Sequence, residues 1–376
     1  MNTLRIFFVG GGSIHDNRWM ALCRDAGALT QVFMLDGHRT MLRGADFDAP
    51  RLAELPDEFA AERLQALAGL RAEITAFRPD LVHAFGIDAA GYFTVDALAQ
   101  SDTPFVLQLR GGPEITLYCK DPAAAARMRS VFGRCDGLIA DNTENLAFAA
   151  NHGLSDEARR RCMGAVPGGG GLSAAEMAEP QDEALRPPLV LWPKAYANPS
   201  VDGYAIAEGL RLAFLRAPEL QLRLLFAHQP DFLRWLRGHW PAELWARTRV
   251  QGLVSHTESL DALRQARVML APSPLDGVPN ALLEAMACGA LPVVSPHATL
   301  PAGFMNAPGI AYALNLDPAG IADAILRCLR APVASQRAWK TGNRALVATY
   351  AARASVTARA TAFYRGIVAH PRKEAL

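Results

Sequence analysis

The stretch Pro272–Pro296, PSPLDGVPNALLEAMACGALPVVSP, decides the fold. It follows the apolar run Val268–Ala271 and contains a second apolar run, Leu291–Ser295. The pattern therefore predicts a strand, a loop shaped by glycine and proline, a helix and another strand. This order is typical of a parallel sheet that is covered by helices on both faces.

The start of the predicted helix is a candidate anion site. Asn280 stands where the helix begins and is expected to cap it. The free N–H groups and the dipole of a helix start favour a diphosphate. Two carboxylates lie beside this position, Asp276 in the loop and Glu284 about one turn into the helix. Because an ionised carboxylate only accepts hydrogen bonds, the pair indicates a ligand that also carries hydroxyl groups, such as a sugar and a ribose.

The same alternation of strands and helices runs along the rest of the chain. In the first half, strands are predicted at Leu4–Val9, Val32–Leu35, Leu81–Ala84, Phe105–Leu109 and Leu138–Ala140, and helices at Asn17–Ala26 and Glu58–Phe77. In the second half, further strands are predicted at Leu189–Trp192, Leu220–Phe226 and Val250–Gly252, and helices near Gly203–Arg216, Ser259–Arg267, Asn280–Cys288, Ala319–Arg330 and in one long tail over 336–368. The polar, proline-rich segment Ala178–Pro188 is interpreted as a linker between two domains.

The length and the charge of the chain limit the kinds of protein that it can be. A chain of 376 residues favours two domains, and a net charge of +1 argues against a general nucleic-acid binder. Residues 1–179 carry 17 basic and 23 acidic side chains, whereas residues 180–376 carry 21 and 14. This difference favours an anionic ligand on the second half, and ordinary variation in surface charge between two domains explains it equally well. The six cysteines show no C-x-x-C spacing and no apolar run reaches the length of a membrane span, which predicts a cytoplasmic protein without a structural metal.

The segment Pro272–Pro296 resembles the donor-binding signature of retaining GT-B glycosyltransferases of family 4, the "glycosyl transferases group 1" domain. That family carries two acidic residues separated by seven others within a PS…EG.PN.LLEAMA.G.PVV pattern. Here the pair is Asp276 and Glu284, with Asp in place of the more usual first Glu. Four other segments also resemble the family: RPDLVHAFG (78–86), FVLQLRGGPEI (105–115), DGLIADNTENLAFAANHGL (136–154) and VPGGGGL (166–172).

The resemblance implies an α/β protein of GT-B type, with two Rossmann-like doubly wound parallel-sheet domains facing a central cleft. The acceptor-side domain would cover 1–180 and be completed by a C-terminal helix at about 355–376, and the donor domain would cover 187–354. The implied reaction is metal-independent transfer of a sugar from a nucleoside diphosphate sugar to an acceptor hydroxyl, with retention of configuration. No cofactor beyond this co-substrate is expected. Polysaccharide biosynthesis is the usual setting, and the acceptor stays open between a glycan, a lipid-linked molecule and a small molecule.

The resemblance also assigns roles to residues. Glu284 would hold the ribose, Asp276 would orient the donor sugar, and Lys194 would neutralise the leaving diphosphate. These three and Arg110 are the candidate catalytic residues. The predicted donor-binding residues are Gly11, Gly12, Lys194, Ser273, Asp276, Gly277, Pro279, Asn280, Ala281 and Glu284.

Two positions depart from the family pattern. Arg110 occupies the place where many family members carry a His close to the reacting sugar. Arg does not act as a general base, but it can hold a phosphate or a carboxylate. The place of a second diphosphate-binding cation falls in 200–203, where Asp202 stands. These departures keep open a second hypothesis, a donor-binding protein with impaired catalysis.

An NAD(P)-dependent oxidoreductase is the third hypothesis. Gly10, Gly12 and Asp36 favour it, but His15 stands where the G-x-G-x-x-G motif needs its third glycine. A dinucleotide cofactor is therefore the weaker interpretation.

The sequence also contains two short charged motifs. Asp46 and Asp48 form a D-x-D, which metal-dependent glycosyltransferases of another fold use, but the surrounding pattern is absent and a solvated loop is the better interpretation. Arg159–Arg161 allows at most weak peripheral contact with an anionic membrane.

Overall fold

A computed structural model describes residues 3–10, 13–35, 60–111, 122–177, 186–198, 201–274 and 276–370. The chain divides into two compact units, 1–171 with 353–376, and 172–352. Each unit contains one six-stranded sheet in which every neighbouring pair is parallel. The prediction of an α/β protein with two doubly wound parallel sheets is confirmed.

The first unit has the strand order β2-β1-β3-β4-β5-β6. Its strands are β1 (Arg5–Gly10), β2 (Leu29–Met34), β3 (Leu81–Phe85), β4 (Phe105–Leu109), β5 (Gly137–Ala140) and β6 (Gly164–Ala165). Its helices are α1 (Ile14–Asp25), α2 (Ala60–Phe77), α3 (Ala89–Ala97), α4 (Pro122–Arg134), α5 (Thr143–Asn151) and α6 (Asp156–Arg160), joined by the last helix of the chain, α15 (Arg353–Ala369).

The second unit has the strand order β12-β11-β10-β7-β8-β9. Its strands are β7 (Leu189–Trp192), β8 (Gln221–Leu224), β9 (Thr248–Val250), β10 (Val268–Ala271), β11 (Leu291–Val294) and β12 (Ala311–Tyr312). Its helices are α7 (Gly203–Arg216), α8 (Pro230–His239), α9 (Ala242–Ala246), α10 (His256–Gln265), α11 (Asn280–Ala287), α12 (Ala302–Met305), α13 (Pro318–Arg330) and α14 (Val333–Ala351), with a 3-10 turn at Leu314–Leu316.

Strand order fixes where each unit can bind a ligand. In the second unit the order runs outward in opposite directions from β7 and β10, which are neighbours in the sheet. In the first unit the same reversal falls between β1 and β3. Open parallel sheets bind ligands beyond the carboxyl ends of the strands at such a switch point. The loops after β7 and β10 are therefore the favoured positions in the second unit.

The prediction of one continuous helical tail is wrong. Ala352 is extended (φ −62°, ψ 119°) and separates α14 from α15. The backbone N–H of Leu172 donates to the Ala351 carbonyl at 2.7 Å, and Leu172 forms an isolated parallel bridge with Ala352. This pairing takes the carbonyl that the next helical turn would use, and no glycine or proline in the sequence marks the break.

Helix α15 covers one face of the first sheet together with α1. Its residues Val356, Ala360, Tyr364 and Ile367 are buried in a cluster with the inward side chains of β1. The Tyr364 hydroxyl accepts a hydrogen bond from Trp19 Nε1 at 2.8 Å and lies 2.6 Å from His83 Nδ1. A buried three-residue network therefore joins the end of the chain to α1 and β3.

Removing the Tyr364 hydroxyl should destabilise the protein. Tyr364→Phe leaves the buried Trp19 indole N–H and His83 Nδ1 without this partner, which costs about 2 kcal/mol of the free energy of unfolding. Urea unfolding measures the loss, and Tyr204→Phe, at a side chain that is 51% exposed, is the matched control. Equal midpoints for the two variants would contradict this account of the network.

Candidate functional site

The loop between β10 and α11 is held in place by residues that follow β11. The backbone N–H of Ser273 donates to Ser295 Oγ at 3.0 Å. The Thr299 hydroxyl, on a buried side chain, reaches the carbonyls of Asp276 and Gly277 at 3.2 and 3.0 Å. The loop, whose Leu275 lies outside the described residues, is thus fixed by side chains rather than left to its own turn geometry.

The start of α11 differs from its prediction in one respect. Pro279 occupies the N-cap with no side-chain cap hydrogen bond, and Asn280 is the first helical residue. The prediction that Asn280 caps the helix is wrong, because proline fixes φ ahead of the helix and moves the cap one residue back. Pro279 supplies no side-chain acceptor, and its carbonyl accepts from the Leu282 N–H at 3.1 Å; Ala281 is the second helical residue.

Asp276 and Glu284 stand on either side of this helix start. Asp276 is half-buried, and its Oδ1 accepts a hydrogen bond from the Gly277 N–H at 2.9 Å. Glu284 is buried one turn into the helix, with 9% of its side chain exposed. A fixed, mostly buried carboxylate is a pure acceptor suited to a pair of hydroxyl groups.

The buried carboxylate of Glu284 has a partner that the sequence does not reveal. His256 Nε2, on the first residue of α10, donates to Glu284 Oε1 at 2.9 Å. The other ring nitrogen of His256 lies 3.9 Å from Glu176 Oε1. His256 therefore sits between two carboxylates and orients the one on α11. The two partners lie 28 residues apart, so no local motif connects them.

Lys194 follows β7 and is exposed at the same carboxyl edge of the sheet. Asp202, at the place of the missing second cation, is the N-cap of α7 and accepts a hydrogen bond from the Ala205 N–H at 3.1 Å. The acidic residue thus has a local structural use in starting a helix.

A cavity of about 740 Å³ opens at this edge, beyond the carboxyl ends of β7, β8 and β10. Gln229 joins two of its walls, because its side chain exchanges hydrogen bonds of 2.9 and 3.1 Å with the backbone of Ala197. The volume lies within the usual range of about 300–1,000 Å³ for small-molecule pockets. The residues that line it include Asn198, Asp202, His228, Gln229, Pro274 and Leu316.

The polar residues of the first unit form a separate group. Gly11 and Gly12, after β1, lie outside the described residues. Arg110, after β4, forms an ion pair with Asp16 and packs over the Phe85 ring at 5.1 Å. Asp16 is buried and also completes a capping box with Ser13 at the start of α1. The pairing holds Arg110 as an oriented cation, of which a fifth stays exposed.

Asp141, after β5, is a buried carboxyl that the sequence argument does not single out. Its Oδ1 accepts from the amides of Asn142 and Asn145 at 2.6 and 3.0 Å, and its Oδ2 accepts from the Gly111 N–H at 3.1 Å. Burial outweighs these bonds and the nearby Arg110, and raises the pKa of Asp141 from 3.8 to about 7. The group anchors the backbone that follows Arg110.

His83 is an interior residue. It is fully buried in β3, and burial lowers the pKa of His83 to about 3, so the ring is neutral at physiological pH. Its Nδ1 lies 2.6 Å from the Tyr364 hydroxyl, so His83 is a buried, hydrogen-bonded histidine of the interior.

The predicted site residues fall into three groups. Ser273, Asp276, Gly277, Pro279, Asn280, Ala281 and Glu284 lie on one strand–loop–helix unit, and Lys194 shares their sheet edge. Arg110 belongs to the first unit, as do Gly11 and Gly12. Asp36, Asp46 and Asp48 lie outside the described residues.

Within the described ranges, no three His, Cys, Asp or Glu side chains gather as a metal site requires. None of the described helices is both long and apolar enough to span a bilayer.

Comparison with known proteins identifies the fold. Residues 208–331, less than half of the chain, match the family model described as glycosyl transferases group 1. Among curated protein sequences, none matches this chain. Sucrose-phosphate synthase from Thermosynechococcus elongatus is similar in structure, with 17% identity, 97% of this chain and 99% of that chain covered, and a TM-score of 0.73. A trehalose 6-phosphate synthase from Burkholderia multivorans is also similar in structure. It is 13% identical over 98% of this chain and 99% of that chain, with a TM-score of 0.72.

A third similar structure carries ligands. The HepE protein of Anabaena, in complex with UDP and glucose, is 14% identical over 96% of this chain and 100% of that chain, with a TM-score of 0.67. The likeness over whole chains shows that the protein has a glycosyltransferase-like GT-B fold. The matched family segment contains the loop and helix that carry Asp276 and Glu284.

The raised pKa of Asp141 predicts a pH-dependent stability. Because the native pKa is about 7 and the ordinary value is 3.8, the folded state binds more protons between these values. Wild type should therefore lose stability relative to Asp141→Asn as the pH rises from about 4 to about 7.

Urea unfolding of both proteins at about pH 5 and about pH 8 tests this. Asp102→Asn, at an exposed position of the same unit, is the control. A difference between wild type and Asp141→Asn that does not change with pH would show that the carboxyl titrates normally.

Proposed function

We propose that the protein is a glycosyltransferase that moves a sugar from a nucleoside diphosphate sugar to an acceptor hydroxyl, with retention of configuration. One observation carries the proposal. The segment that matches the family model contains Asp276, the start of α11 and Glu284 on one strand–loop–helix unit at the switch point of its sheet. That unit would combine an anion site with two carboxylates that bind hydroxyl groups.

The donor would be bound along the carboxyl edge of the second sheet. The first-turn N–H groups of α11 and the Lys194 ammonium would take the diphosphate, where negative charge grows as the sugar–phosphate bond breaks. Asp276 would orient the sugar, and Glu284 would accept from the ribose hydroxyls. His256 would act as a positioning residue, because its hydrogen bond fixes the Glu284 carboxylate.

The acceptor would belong to the first unit, where Arg110 is held by Asp16. Arg110 is an oriented cation and not a proton acceptor, which suits an anionic group on donor or acceptor. No group in this scheme requires a metal. A role in glycan or polysaccharide synthesis and a cytoplasmic location are part of the proposal.

A donor-binding protein with impaired catalysis is the second candidate. The observation that favours it is Asp202, which places a helix-capping carboxylate where a second cation would assist the leaving group. This candidate predicts nucleotide binding equal to that of an active enzyme, without transfer or hydrolysis of any donor.

Nucleotide binding should depend on Glu284. Since the HepE complexes contain UDP or UDP-glucose, the uridine series is the first to test, followed by the guanosine and adenosine series and NAD(P). Glu284→Gln should weaken binding of the preferred nucleoside diphosphate by about tenfold, because charge-assisted bonds to the ribose become neutral ones. Isothermal titration calorimetry measures this, and Glu219→Gln, an exposed residue of the same unit, should bind as wild type does.

The outcomes separate the hypotheses. Binding of NAD(P) alone, unchanged in Glu284→Gln, would replace the glycosyltransferase proposal with a dinucleotide one. Nucleotide binding that Glu284→Gln weakens, without turnover across donors and acceptors, would support the impaired protein.

The role of His256 is testable apart from that of Glu284. His256→Ala should weaken nucleoside diphosphate binding about fivefold because the carboxylate loses its orienting donor, and His256→Gln, which can still donate, should restore most of it. Equal dissociation constants for wild type and His256→Ala would show that Glu284 needs no positioning partner.

Asp276 should matter for transfer more than for binding. Asp276→Asn should lower kcat by about a hundredfold with little change in the dissociation constant of the free nucleotide, because its proposed contact is with the sugar. Measured release of nucleoside diphosphate from the donor decides this, and a variant that turns over as wild type does would remove Asp276 from the mechanism.

A further inference from the structure

Four arginines meet at the opposite edge of the second sheet, where the strands begin. Arg186 precedes β7, Arg223 lies in β8, Arg247 directly precedes β9, and Arg249 lies in β9. With Gln221 and Gln265 they line a cavity of about 310 Å³. No residue of the proposed donor site lines this cavity, so it is a separate feature of the same unit.

Arg223 is a buried part of the cavity wall whose position is fixed by hydrogen bonds. It is only 8% exposed, and its guanidinium is held by neutral groups, with Nε donating to Gln251 Oε1 at 2.6 Å and Nη1 to Gln265 Oε1 at 3.1 Å. Burial and the neighbouring charge of Arg249 lower the pKa of Arg223. A buried cation beside a second cation indicates that the site lacks its own counter-charge.

The nearby carboxylates are engaged elsewhere. Asp261 and Glu258 attract Arg223 only at longer range. Asp261 pairs with Arg264 at 2.9 Å, and Glu258 completes the capping box of Ser255 at the start of α10. Among the residues that the structure describes, none has a carboxylate within ion-pair distance of Arg223, Arg247 or Arg249.

The arrangement of the arginines around the cavity suits a bound small anion better than water alone. Arg186 lines the cavity from a fixed position, since its guanidinium donates to the carbonyls of Ala266, Cys288 and Gly289 at 2.8–2.9 Å. Arg247 and Arg249 are exposed and can turn toward a ligand. Planar guanidinium forks on a concave wall match the oxygen geometry of phosphate. The volume is at the lower end of the range for small-ligand pockets.

We propose that this arginine pocket, defined by Arg186, Arg223, Arg247 and Arg249, binds the phosphate group of a small molecule. It is a second anion site, on the amino edge of the sheet, and it is independent of the proposed transferase reaction. It accounts for part of the excess of basic residues in 180–376. The phosphate can come from a soluble phosphate ester or from a lipid headgroup, which share this chemistry.

Binding of inorganic phosphate and pyrophosphate tests the arginine pocket. Isothermal titration in about 0.15 M KCl compares wild type with the double variant Arg247→Gln/Arg249→Gln, in which both substitutions are at exposed positions. Arg234→Gln, at a side chain that is 78% exposed elsewhere in the unit, is the matched control. Lys194→Gln identifies any pyrophosphate bound at the donor edge, so that only binding lost in the arginine variant counts.

The expected result is at least a tenfold weaker pyrophosphate affinity in the double variant and no change in Arg234→Gln. Arg223→Lys keeps the charge but removes the fork, and should weaken binding by a smaller factor. Circular dichroism and the urea midpoint check that each variant is folded.

Sedimentation with vesicles of phosphatidylglycerol and phosphatidylcholine is the second arm. Loss of anion binding alone in the double variant assigns a soluble phosphate, and loss of vesicle binding alone assigns a lipid headgroup. Wild type that binds neither probe, or a double variant that binds both as wild type does, overturns the proposal.

Discussion

Parallel pairing of every strand is the constraint on which the rest of the structure depends. A parallel pair needs a crossover connection, so each sheet is buried between helices and all its strands point the same way. The carboxyl ends then meet at one edge and the amino ends at the other. Both candidate sites of the second unit follow from this polarity, one at each edge.

Some buried carboxylates of the protein have a structural role, whereas Glu284 is proposed to bind a ligand. Asp16 is consumed by a capping box and an ion pair, and Asp141 by three hydrogen bonds that anchor a loop. Glu284 is also buried, and His256 Nε2 donates to its Oε1 from the first turn of α10. In the proposed function the acceptor capacity of this carboxylate serves the ribose hydroxyls of the donor.

Long or strongly patterned elements could be predicted from the sequence, and short or non-local ones could not. The run Phe105–Leu109 and the helix Gly203–Arg216 have the predicted bounds because their apolar spacing is local. Strands β6 and β12 have two residues each, too few for any period. The break at Ala352 depends on pairing with Leu172, far away in the sequence. The deciding segment showed where Asp276 and Glu284 lie, but neither His256 nor the arginine pocket has a contiguous motif.

The position of α15 has a consequence for synthesis on the ribosome. One face of the first sheet is covered by Val356, Ala360, Tyr364 and Ile367, which are translated only after the whole of the second unit, 172–352. At about 5–20 residues per second, the residues between 171 and 353 delay this cover by roughly 10 to 40 s. During that interval the partner face around Ile6, Phe8 and Trp19 lacks its native cover. The nascent first unit therefore exposes this apolar face for chaperones to bind until α15 has been made.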